Sequence, residues 1–126
     1  MADKSQYQKS TRKKGAEAET LACKYIEEKG FIIIKRNFHF GIVGEIDIIA
    51  KDKEVLVFVE VKARSSDTYG SPLDSITPKK QKNLKRVSEG YYYINKLKDQ
   101  ECRFDVITID YSKGTPDIEH LVNAFY

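Results

Sequence analysis

The chain has 126 residues, 40% hydrophobic and 33% charged, with 22 Lys and Arg against 19 Asp and Glu for a formal charge of +3. That is material for one domain with one core, and no stretch approaches the roughly 20 apolar residues of a membrane-spanning helix. The mild positive excess would assist approach to a polyanion but by itself names no partner.

Residues 1–14 carry Lys4, Lys9, Arg12, Lys13 and Lys14 against the single acid Asp3, and read as a flexible basic arm ahead of one domain over 15–126. No apolar run follows these charges, so a secretory signal is not expected and the cytoplasm is the expected compartment. From Gly15 to Lys29 the residues Ala18, Leu21, Ala22, Tyr25 and Ile26 recur at helical spacing, with Gly30 as the stop. Phe31 to Lys35 reads as a largely buried strand and Arg36 to Gly41 as a turn. Val43 to Ala50 and Val55 to Ala63 alternate as strands, joined tightly at Asp52 and Lys53. A polar loop, Arg64 to Ile76, leads to Thr77 and Pro78, which suit a helix start and predict a helix running towards Leu97, weakened by Gly90. A last buried strand spans Phe104 to Asp110, followed by a turn at Lys113 to Pro116 and a short C-terminal element whose type the pattern leaves open.

Conventional nucleophile chemistry has little to work with. Cys23 and Cys102 have no Cys or His at metal-ligand spacing, which argues against zinc, and His39 and His120 lie outside any Ser or Cys nucleophile motif. No glycine-rich phosphate loop is present. Any chemistry falls to carboxylates and lysines.

The hairpin gathers them. Side chains alternate faces along a strand, so Ile46, Ile48 and Ala50 fall on one face and Glu45, Asp47 and Ile49 on the other. In the second strand the row Val55, Val57, Val59, Val61 must be core, leaving Leu56, Phe58, Glu60 and Lys62 opposite. A two-residue loop at Asp52 and Lys53 sets Glu45 opposite Glu60, with Asp47 and Glu60 diagonal at roughly 7 to 8 Å. Shifting the register by two sets Asp47 opposite Glu60. Either way three carboxylates share a surface with Lys62, and they repel unless a cation or that lysine neutralises them. Oxygen donors of this kind suit Mg²⁺ and would accept Mn²⁺. Against this stands the ordinary reading of alternating Glu and Lys on a solvated sheet face.

The segments GAEAETLACKYIEEKGF, RNFHFGIVGEIDIIA, VFVEVKARSSDTYGSPLDSITPKKQKNL and CRFDVITID together resemble the YraN-like family of uncharacterised bacterial proteins, within the restriction-endonuclease-like PD-(D/E)XK superfamily. The resemblance runs from about Gly15 to Phe125, and its most specific part is the order GEID, short hairpin, FVEVK and a following KQ. It implies an α/β fold, a central mixed β-sheet flanked by helices in the order α-β-β-β-α-β. It also implies a metal-dependent nuclease hydrolysing phosphodiester bonds. Carried across, the GEID acid falls on Asp47, the ExK pair on Glu60 and Lys62, and the helical acid on Glu19, which periodicity could not have chosen over Glu17. Asp47 and Glu60, the backbone carbonyl of Val61, and Glu19 directly or through water would then hold Mg²⁺ or Mn²⁺. Lys62 would orient the attacking water, and Gln81 of the KQ pair would help to place it. Glu45 lies on the same face and could pair with Arg64 or Lys62.

The helical spacing of Leu84, Val87 and Tyr91 puts Lys80 and Gln81 on the buried side one turn earlier. Lys79, Lys82, Lys85 and Arg86 then face outward, where with Lys80, Arg64 and the N-terminal arm they could grip phosphates without reading sequence. The loop from Arg64 to Tyr69 could cover a substrate, with Tyr69 stacking on a base, while Arg103 and Asp105 read as a structural pair. By analogy with related Holliday-junction resolvases, branched DNA is the leading substrate and a homodimer the expected assembly. The alternatives are a noncatalytic nucleic-acid-binding protein of the same fold and a scaffold that binds neither metal nor nucleic acid.

Overall fold

In a computed structural model the backbone is described for residues 4–64 and 76–126, and side chains from residue 15 onward. The order is α1 (Lys4–Glu28), β1 (Ile32–Phe40), β2 (Gly44–Asp52), β3 (Val55–Arg64), α2 (Pro78–Ile94), β4 (Cys102–Asp110) and β5 (Asp117–Phe125). The strands form one sheet in sequence order, antiparallel throughout except for the parallel pair β3 and β4, which α2 connects. This is the expected mixed α/β architecture with one more strand, since the C-terminal element is β5. Among the described residues no helix is long and apolar enough to cross a membrane. The loop residues between Arg64 and Ile76, Tyr69 among them, lie outside the described residues.

The two helices cover opposite faces, because β3 is apolar on both sides. Val57 and Val59 pack with Ala18, Ala22, Cys23 and Ile26 of α1, while Leu56 and Phe58 pack with Leu84, Val87 and Tyr91 of α2. The stripe expected on α1 is therefore the buried one, with Leu21 and Tyr25 at its margins. Helix α1 extends back to Lys4, so residues 4–14, read from the sequence as an arm, continue the same helix; no glycine or proline precedes Gly15 to interrupt it. Its end is the expected one. Gly30 takes φ 97°, and the Gly30 and Phe31 N–H groups donate to the Glu27 and Ile26 carbonyls at 2.9 and 3.0 Å.

Apart from shifts of one or two residues, two further boundaries differ from expectation. The segment 36–40, read as a turn, extends β1, because Phe38 is buried under α2 and pairs in register with Ile46. Helix α2 stops at Ile94 rather than Leu97, because Lys96 adopts a left-handed φ of 53° and the Leu97 N–H turns back to the Tyr92 carbonyl at 3.0 Å.

At the end of the sheet near the β2–β3 turn, Asp105 is fully buried on the α1 face. It accepts from Arg103 Nε at 3.0 Å, Arg103 Nη2 at 3.2 Å, His120 Nε2 at 2.8 Å and the Asn123 N–H at 2.9 Å. Arg103 also reaches Asp52 at 3.1 Å, tying β4 to the hairpin. Burial alone would raise the Asp105 carboxyl, but the donors from His120, Arg103 and Asn123 prevail and hold it below the ordinary carboxylate range. The pair read as structural is structural.

Gly90 does more than weaken α2. A Cβ there would lie 2.5 Å from ring atoms of Phe40, so the missing side chain lets helix and β1 meet. Gly90→Ala should therefore destabilise the domain by roughly 1–3 kcal/mol through overpacking, despite alanine's better helix propensity. Gly15→Ala, where a Cβ meets nothing within 4 Å, should stabilise it slightly. Urea unfolding of both variants tests this, and a stabilised Gly90→Ala would remove the close-packing account.

Candidate active site

The β2–β3 ladder runs from Asp52 opposite Val55 to Ile48 opposite Val59 and ends there. The loop is thus Lys53 and Glu54, with Lys53 at a left-handed φ of 55°, and continuing this register sets Asp47 level with Glu60. It is the second of the two registers that the sequence allowed. Past the last pair, Asp47 Oδ2 accepts from the Val61 N–H at 2.8 Å. That donor lies in the plane of the sheet, so the carboxylate sits in the gap between strands rather than on a face. Ile46 accordingly packs beneath α2 with Ile49, whereas Ile48 and Ala50 pack beneath α1. Strict alternation grouped Ile46 with Ile48 because it assumes unbroken pairing on both sides, whereas β2 loses its β3 partner after Ile48 and continues to Gly44 paired with β1 alone.

Glu60 continues the Leu56 and Phe58 row towards α2 and is 7% exposed. Its Oε1 lies 2.7 Å from Lys80 Nζ. Lys80 arrives there because Thr77 caps the helix, its side chain accepting from the Lys80 N–H at 3.1 Å, and Pro78 opens the first turn. Between α2 and the Val43–Glu45 stretch is a cavity of about 380 Å³, lined by Asp47, Glu60, Lys79, Lys80 and Asn83 among others.

Electrostatically the cluster is under tension. Burial first, then repulsion from Glu60, raise the Asp47 carboxyl to about 7, with Glu19 and Glu45 adding to the rise and the Val61 hydrogen bond opposing it. Burial and then the neighbouring Lys80 lower Lys62, against the attraction of Glu60 and Asp47. Lys80 moves the other way: burial opposes its charge, but the hydrogen bond to Glu60 leads the effects that raise it. The two lysines are thus shifted in opposite directions within one cluster.

Asp47, Glu60 and Lys62 therefore come together, joined by Lys80. Val61 contributes its N–H, and since N–H and C=O of one residue point the same way in a strand, its carbonyl also faces the gap. Glu19, from α1, is close enough to act on Asp47 but has its own partners. Arg36 Nη2 stands at 3.7 Å, and the Asn37 amide, its nitrogen turned towards Glu19, donates at 3.1 and 3.3 Å. Gln81 does not line the cavity; its Nε2 donates to the Ile76 carbonyl at 3.1 Å and steadies the helix start. Glu45 pairs with His39 at 3.0 Å rather than with a cation of the hairpin. Lys79, Lys82 and Arg86 are exposed on α2 and Lys85 and Arg64 half-buried, with the Arg64 carbonyl accepting from the Tyr111 N–H at 3.0 Å.

Asp47, Glu60 and the Val61 carbonyl are the groups that could hold a hard cation. Among the described residues no three His, Cys, Asp or Glu side chains converge in metal-holding geometry, but one or two carboxylates with oxygen ligands from water or substrate are what Mg²⁺ takes. The donor set fits such an ion. Sequence reading missed the Lys80–Glu60 pair and Asn83 as a cavity residue. The signal was present in the helical spacing of Lys80, Leu84 and Val87, which sets Lys80 over the sheet, but spacing says nothing about which acid lies beneath.

A mixed sheet flanked by one helix on each face, with acids and a lysine where two of its strands part, defines an α/β domain of restriction-endonuclease-like core. Residues 18–109 match the model of Uncharacterised protein family UPF0102, and the chain belongs to that family. It is 41% identical over 117 residues to a UPF0102 protein of Nitrosococcus oceani, an alignment covering 90% of this chain and 92% of the relative. It is 46% identical over 113 residues to one of Thermodesulfovibrio yellowstonii, covering 89% and 95%, and 39% identical over 108 residues to one of Acetivibrio thermocellus, covering 86% and 83%. Every candidate site residue from Glu19 to Arg86 lies inside the span matched to the family.

The raised Asp47 carboxyl gives a pH signature. An acid whose folded-state value lies above its ordinary one favours the fold while protonated, so its contribution is complete at low pH and falls as pH rises towards about 7. Asp47→Asn keeps an acceptor for the Val61 N–H and never ionises. In metal-free buffer its Tm relative to wild type should rise steadily between about pH 4 and about pH 8. An offset independent of pH would show that Asp47 titrates normally.

Proposed function

We propose that this domain is a metal-dependent nuclease that hydrolyses phosphodiester bonds in nucleic acid, with branched DNA as the leading substrate. The observation that carries the reading is the convergence of two buried, mutually repelling carboxylates, Asp47 and Glu60, with Lys80 and Lys79 around one cavity, and with Lys62 close enough to act on both acids and on Lys80. Buried like charges side by side cost stability, and titratable groups perturbed in this way concentrate at functional sites. A Mg²⁺ or Mn²⁺ ion held by Asp47, Glu60 and the Val61 carbonyl, with Glu19 directly or through water, would supply Lewis acidity, lowering the pKa of water and offsetting charge on the phosphate.

The chain's own groups perform the rest. Lys62 orients the attacking water and donates to a phosphate oxygen as charge grows there, and Gln81 keeps the first turn of α2 in place. Lys79, Lys82, Lys85, Arg86 and Arg64 hold the backbone of the nucleic acid through phosphates, contacts that weaken as salt rises. A homodimer would present two such sites to a symmetric branched substrate.

A second reading, a noncatalytic nucleic-acid-binding protein of nuclease-like fold, draws on a different observation. Lys80 occupies Glu60, and Arg36 with Asn37 occupies Glu19, so two of the acids already have partners without a metal.

Incubating the protein with single-stranded, duplex, flapped and four-way-junction DNA and RNA, with Mg²⁺, Mn²⁺ or chelator, separates the two. Wild type should cleave only with metal, and Asp47→Asn, Glu60→Gln or Lys62→Ala should lose roughly 10²-fold or more of that rate while binding changes only a few-fold. Salt-sensitive binding without cleavage under either metal would favour the second reading. Equal activity in all three variants would remove the site.

A further inference from the structure

Glu60 is almost fully enclosed, its side chain 8% exposed, and its Oε1 is held at 2.7 Å by a lysine whose own side chain is 34% exposed. The partners are unequal in freedom. Glu60 belongs to a strand hydrogen-bonded within the sheet, whereas Lys80 stands in the first turn of α2 on a long flexible stem and can swing out to the cavity rim by rotating its own side chain. Lys62 completes the group, close enough to interact with Lys80 and with both acids. With both acids and both lysines ionised, the four formal charges cancel. A divalent cation added among them leaves two positive charges uncompensated in a poorly hydrated place unless an ammonium withdraws.

From this we infer that Lys80 is a tethered cation standing in for the divalent ion at Glu60, so that the Lys80–Glu60 pair and ion binding exclude one another. The inference rests on the nuclease reading and specifies how that site is loaded. Without an ion the domain is stabilised by its own lysine, and when one enters, Lys80 moves outward to the rim beside Lys79, where a phosphate of the substrate would meet it. The acid pair is never left bare, and the displaced ammonium becomes a phosphate ligand only when the ion is present.

Equilibrium binding of Mn²⁺ to the full chain, followed by titration calorimetry and by the paramagnetic resonance signal of free Mn²⁺, tests this without relying on activity. Lys80→Met should bind Mn²⁺ roughly tenfold more tightly than wild type, the scale of one charge-assisted hydrogen bond no longer to be broken. Lys80→Arg, which keeps a cation at Glu60, should stay within about twofold of wild type. Lys53→Met, which removes a lysine from the β2–β3 turn, should also leave the affinity within about twofold. If Mn²⁺ binds wild type and Lys80→Met equally, or the Met and Arg variants tighten alike, the competition is refuted while the nuclease reading stands. If Mn²⁺ binds neither wild type nor Lys80→Met at millimolar concentration, the metal site itself is refuted, and this inference with it.

Discussion

Two carboxylates buried side by side, where β2 and β3 part company, set the terms for everything around them. Asp47 and Glu60 cannot both be ionised there without donors or cations, and the surrounding elements supply them. The end of the β2–β3 ladder frees the Val61 N–H for Asp47. The capped start of α2 delivers Lys80 to Glu60, and the parity of β3 puts Lys62 beside them. That delivery depends on packing further along the helix. Gly90 lets α2 lie against Phe40 of β1, and Tyr91 packs edge-on to Phe38 and Phe58, which fixes where the helix begins relative to the strands.

Asp105 is the instructive contrast. It is more deeply buried than Asp47, on a neighbouring part of the same sheet, yet its carboxyl lies below the ordinary range while that of Asp47 lies far above it. The difference is the donor set. Asp105 receives a guanidinium, an imidazole and a backbone N–H, whereas Asp47 receives one backbone N–H and faces another acid. A carboxylate satisfied on every side is a structural anchor, and here it ties β4 and β5 to the hairpin. One left short of donors, open to a cavity, is the kind of group on which chemistry is built.

The candidate cations divide in the same manner. Lys62 and Lys80 are drawn in beside the acids and shifted in opposite directions, Lys62 downward by burial and by Lys80, Lys80 upward by its hydrogen bond to Glu60, while Lys79, Lys82 and Arg86 remain on the surface of α2. The helix thus presents two kinds of lysine from one short run, PKKQKNLKR, according to whether the side chain points at the sheet or away from it. Positions 80, 84 and 87 point inward, and 79, 82 and 86 outward.

The sequence by itself determined the elements and the residue types at stake. Alternation marked the valine row as core, the glycine after α1 as its stop and Thr77 with Pro78 as a helix start, because these are local preferences written in neighbouring residues. It gathered Asp47, Glu60 and Lys62 to one hairpin, and resemblance added Glu19. Only the tertiary structure decided between the two hairpin registers, since both satisfy the same alternation and differ only in which pair the turn leaves opposite. It also decided that Asp47 lies in the plane of the sheet, that Glu19 is held by Arg36 and Asn37, and that Lys80 rather than Gln81 enters the cavity. Each of these depends on contacts between segments far apart in the chain. Periodicity describes which face a residue takes on its own element, but not what another element brings to meet it.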